Sequence, residues 1–73
     1  MQVMNTQYTA ILKEDKGWWI GWIEEVPGVN CQEKSRELLL DSLRETLQEA
    51  LELNKKEAIS AAGNHYSEEP IAL

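Results

Sequence analysis

One cysteine, one histidine and thirteen carboxylates are the side chains of this sequence with chemistry to offer. Carboxylates serve two-metal phosphoryl transfer when several of them converge on one point. Their spacing here argues against it. No acid stands between Tyr8 and Lys13, and Glu14 and Asp15 fall in a turn signal. Glu24 and Glu25 alternate to opposite faces of an extended segment. Glu33, Glu37 and Asp41 gather around one helix start, where they read as solvated charge. His65 has no second histidine and no cysteine at ligand spacing, so a zinc site is not expected. Cys31 has no nearby base to activate it and reads as a half-buried strand residue. Gly17, Gly21, Gly28 and Gly63 are too scattered for a phosphate loop. The expectation is a chain that is not an enzyme, with no catalytic residue, no metal and no cofactor.

The segment Trp18-Trp19-Ile20-Gly21-Trp22-Ile23 holds three tryptophans within five residues. Read as a strand, it sends Trp18, Ile20 and Trp22 to one face and Trp19, Gly21 and Ile23 to the other. A glycine inside a strand marks the close approach of another backbone, so the Gly21 face is assigned to the helix side. The opposite face would then be an apolar patch of a few hundred Å², large for a monomer. Trp18, Ile20 and Trp22 are therefore expected to form a self-association interface, giving a homodimer or a tetramer.

These residues need elements to position them. Gln2 to Lys13 reads as a first strand, with Tyr8, Ala10 and Leu12 on one face and Thr9, Ile11 and Lys13 on the other. Glu14 to Gly17 reads as a hairpin turn, a type I turn with a bulge at Gly17. Trp18 to Glu25 is the second strand, ended by Pro27-Gly28. Val29 to Glu33 is a short third strand at a sheet edge. Ser35 is a helix N-cap candidate, and Glu37 in the first turn suits the helix dipole. The helix runs from about Arg36 to Ala62. Leu39, Leu40, Leu43, Thr46, Leu47, Ala50, Leu51 and Asn54 make its apolar stripe, while Leu38 and Leu53 fall off it. Glu52 and Lys56 are spaced as an ion pair. Gly63 is the expected left-handed stop. Ile71-Ala72-Leu73 reads either as a short last strand or as a frayed tail. The fold class is α+β: a three-stranded antiparallel sheet with one long helix on one face, β-β-β-α, with room for a short fourth strand. Residues 1–63 form a single domain, and 64–73 are the tail or last strand.

A chain of 73 residues buries only roughly 60–65% of its unfolded surface, which makes association a route to stability. The net charge of −6 repels DNA and RNA, so no direct nucleic-acid binding is expected, and it attracts a basic protein. There is no run of about 18 apolar residues to cross a membrane and no signal-peptide pattern. The default location is cytoplasmic.

The order Tyr8-Thr9-Ala10, Glu14-Asp15-Lys16-Gly17, Trp19-Ile20-Gly21, Glu25-Val26-Pro27-Gly28, then Ser35 before a helix with Leu40, Leu43, Leu47 and Ala50, resembles the HicB-type antitoxin family. The resemblance covers roughly residues 6 to 56. It implies a truncated RNase H-like fold and a protein that binds and neutralises a small basic RNA-cleaving toxin. Many relatives carry a DNA-binding module after this unit, so the chain is expected to be a short member without one. Trp22 stands where relatives have a small polar or charged residue, Gly28-Val29 where many have Gly-Cys, and Leu38 at the usual acidic capping position. Candidate toxin contacts are Glu24, Glu25, Glu33 and Glu37, taken to lie near the Pro27-Gly28 end. The alternatives are a stand-alone oligomeric module with no toxin partner and a degenerate metal nuclease.

Overall fold

A computed structural model describes residues 7–73. Three strands and one helix follow in chain order: β1 (Ala10–Asp15), β2 (Trp18–Ile23), β3 (Asn30–Glu33) and α1 (Arg36–Ala62). The strands form one antiparallel sheet in the order β1-β2-β3, so β1 and β3 are its edges. This is the α+β class expected from the sequence. The expected first strand is longer than β1, and its stretch from Gln2 to Thr6 lies outside the described residues. The second strand ends at Ile23 rather than Glu25, and the third begins at Asn30 rather than Val29.

The first hairpin is tighter than expected. β1 runs on to Asp15, which pairs with Trp18 and leaves only Lys16 and Gly17 to turn the chain. Both have positive φ, 55° and 85°. That is the signature of a type I′ turn, whose twist matches that of the flanking strands, and not of a type I turn with a bulge. The second connection, 24–29, folds back through bonds from Val26 N–H to the Ile23 carbonyl and from Val29 N–H to the Val26 carbonyl. The Ile23 N–H donates to the Val29 carbonyl at 3.1 Å and closes it.

The helix begins where Ser35 caps it: the Ser35 hydroxyl accepts from the Leu38 N–H at 3.1 Å. It ends at Gly63, whose N–H reaches the Ile59 carbonyl at 3.1 Å. Gly63 has φ 74° but ψ −138°, so its φ is positive while its ψ lies outside the left-handed helical region first expected. Leu39 and Leu43 are fully buried and form the core with Ile23 and Val29; Ala10, Leu12, Trp19, Val26, Cys31, Leu47 and Ala50 pack around them. Leu38 and Leu53 are exposed, as their spacing predicts, and Asn54 is exposed at the end of the stripe. The Cys31 sulfur lies 3.4 Å from the Thr46 hydroxyl under the helix.

Gly21 explains the close approach. A Cβ there would stand 2.9 Å from the Ile11 carbonyl oxygen, 3.0 Å from a Leu12 methyl and 3.1 Å from a Leu39 methyl. The helix packs chiefly over β3 and β2 and leaves β1 less covered. At about 40 Å it is twice the length of the strands, so its second half runs past the sheet. Beyond Leu51 only Ile59 is part-buried. Residues 64–73 form no strand and are exposed, so the tail reading describes this chain and the fourth strand does not.

Candidate functional site

Four features of the surface carry functional interest. The first is the sheet face that the helix leaves open. Trp22 sits opposite Ile11 and Asn30, Ile20 opposite Lys13 and Gln32, and Trp18 opposite Asp15. Trp18 and Trp22 are 37% and 40% exposed, Ile11 is exposed beside them and Ile20 is half-buried. The Lys34 ammonium lies 3.9 Å from the centre of the Trp18 ring, a cation–π contact. The structure thus brings Trp18, Ile20 and Trp22 onto one face. Ile11 is a member that the sequence reading left unassigned; its alternation with Ala10 and Leu12 was the available signal.

The second feature is the set of acids expected to meet a partner together. Glu24 and Glu25 follow β2, but Glu33 lies opposite Trp19, near the other end of that strand. Five residues of strand separate Glu33 from Glu24, about 16 Å. Glu37 lies with Glu33, in the first turn of the helix. The four acids are therefore not one cluster at the Pro27-Gly28 end. Two of them are also engaged within the chain. The Glu25 carboxylate accepts from the Thr9 backbone N–H and from the Thr9 hydroxyl, each at 2.7 Å. The Thr9 N–H chiefly, and then its hydroxyl, hold the Glu25 carboxyl below the usual carboxylate range. The half-buried Glu33 accepts from the Ser42 hydroxyl at 2.6 Å. Glu24 and Glu37 remain exposed.

The third feature was visible in the spacing but unrecognised. Glu37, Asp41, Glu45 and Glu49 recur every four residues, and all are exposed. They form one ridge along about 18 Å of helix, extended by Glu52. Among the described residues the one ion pair is Arg44 with Asp41 at 3.3 Å; the expected Glu52–Lys56 pair is not made.

The fourth is a groove of about 200 Å³ between β1 and the helix, lined by Tyr8, Ala10, Ile23, Leu40, Leu43, Arg44 and Leu47. It exists because the helix lies over β2 and β3. No spacing rule within one element could have revealed it.

Among the described residues, no three His, Cys, Asp or Glu side chains converge as metal ligands. No helix there is long and apolar enough to cross a membrane. Comparison with protein-family models, with curated proteins and with solved structures gives no match.

Proposed function

We propose that this chain is a non-enzymatic, antitoxin-like protein of the HicB type that binds and neutralises a small basic RNA-cleaving toxin. The truncated RNase H-like class implied by the resemblance belongs to the same proposal. The observation that carries it is the acidic ridge of the helix. Like charges four residues apart destabilise a helix by about 0.2–0.5 kcal/mol per pair. The ridge repeats that arrangement three times with one arginine in partial compensation. A cationic protein surface laid along it relieves the repulsion, and the net charge of −6 steers such a partner in. The ridge replaces Glu25 and Glu33 as the main contact, because their carboxylates are already held inside the chain.

Co-expression with the adjacent open reading frames tests this. A small basic protein should co-purify and lose its RNase activity, and Glu45→Lys with Glu49→Lys should release both. A toxin that keeps its activity in the presence of the chain and fails to co-purify sinks the reading.

The open tryptophan face favours a second role, an oligomeric module that assembles with its own copies. Its charges support a second copy as the occupant. Lys13 and Lys34 border the face against Asp15 and, by alternation, Glu24, so it is balanced while the chain is strongly acidic. Two copies can stack these faces without adding their net charges at the contact.

A further inference from the structure

β1 is a sheet edge, and no described residue pairs with its outer side. The Thr9 carbonyl accepts from the Glu24 N–H at 2.9 Å, so Thr9 turns its backbone groups toward β2. By the alternation of an antiparallel ladder, Ala10, Leu12 and Glu14 turn theirs outward. The side chains of Ala10 and Leu12 point to the helix layer, and Ala10 lines the apolar groove. Unpaired backbone groups and an apolar trough thus run side by side, as strand addition requires.

The same chain carries a matching piece. Residues 64–73 belong to no element. Ile71 is 78% exposed and Leu73 is fully exposed. Two residues apart, they share a face of any extended segment, and Pro70 before them is tolerated at the start of an edge strand.

We propose that Ile71–Leu73 of a second copy adds as a strand along the outer edge of β1, with Ile71 and Leu73 seated in the groove, and that the exchange is reciprocal. Reach decides between a second copy and the chain's own segment. From Ala62 back to Leu47, the near end of the groove, is about 22 Å along the helix axis. A further 10 Å or so separates the helix axis from the sheet. The nine residues 63–71 span at most about 31 Å when drawn straight, and they must first reverse at Gly63. The chain's own Ile71 meets only the rim of its groove, and only when taut. The helix overhang instead carries the segment away from its own sheet and presents it to a neighbour. This inference is independent of any toxin.

The test is Ile71→Asp with Leu73→Asp. Both side chains are exposed, so the substitutions leave the folded single chain untouched. Sedimentation at tens of micromolar should give the wild type twice the mass of the variant, with the same helical circular dichroism. Amide exchange at Ala10 and Leu12 should be slow in the wild type and at least tenfold faster in the variant. Equal masses overturn the proposal. Equal masses with exchange protection lost only in the variant would show the chain's own segment in the groove, which overturns it as well.

Discussion

Glu25 shows how one side chain changes meaning once its surroundings are known. In the sequence it is an exposed acid beside Pro27-Gly28. In the fold it ties the loop after β2 to the entry of β1 through two short bonds from Thr9. Bonds to the ionised form favour it, so the Glu25 carboxyl should titrate below the ordinary carboxylate range. The sign of the linkage follows. A lowered folded-state value means stability that is present above the ordinary value and lost as pH falls through the lowered one. Thr9→Ala removes the hydroxyl but keeps the backbone N–H, the larger influence. The Glu25 midpoint, followed by carbon NMR, should therefore rise only part of the way toward normal. Thermal melts should separate the variant from the wild type at neutral pH and bring them together in acid.

The elements show which parts of a fold a short sequence announces. The helix was legible at both ends because Ser35 and Gly63 act within a few residues of themselves, and its buried face because Leu39 and Leu43 repeat at helical spacing. The second strand was legible for the same local reason. The hairpin was not, because a positive φ at Lys16 has no signal in a lysine; the register between β1 and β2 imposes it. The groove and the separation of Glu33 from Glu24 depend on where whole elements lie, so spacing along the chain does not reveal them. Gly21 joins the two kinds of knowledge. Its spacing named the helix side, and the geometry says how little room remains. The nearest obstacle to a Cβ is a backbone oxygen of β1, which cannot rotate away as a side chain can. Gly21→Ala should therefore destabilise the fold by about 1–3 kcal/mol through overpacking between sheet and helix. Urea denaturation should show a lower midpoint at an unchanged slope.

At the scale of the whole molecule, the two apolar features face different directions. The tryptophan face is the broad side of the sheet away from the helix, and the groove is at its β1 edge on the helix side. Two distinct self-complementary contacts on one chain generate a closed assembly of four copies, whereas either alone generates two. Trp22→Glu places a charge at the centre of the open face, where it meets its own symmetry mate. It should halve the mass and leave the pair joined through Ile71 and Leu73. Adding Ile71→Asp and Leu73→Asp should then give single chains, with the helical signal kept throughout. An unchanged mass for Trp22→Glu would remove the tryptophan face as an interface; single chains from Trp22→Glu alone would show that the contacts are not independent. Salt gives a further check on the same assembly. Copies of net charge −6 repel at long range, while the tryptophan face itself is balanced by Lys13 and Lys34. Raising ionic strength from about 0.01 M to 0.15 M shortens the screening length from about 30 Å to 8 Å, so it weakens the repulsion more than the apolar contact. The wild-type assembly should tighten with salt, read as a falling dissociation constant in sedimentation, and the opposite trend would place attractive ion pairs at the interface.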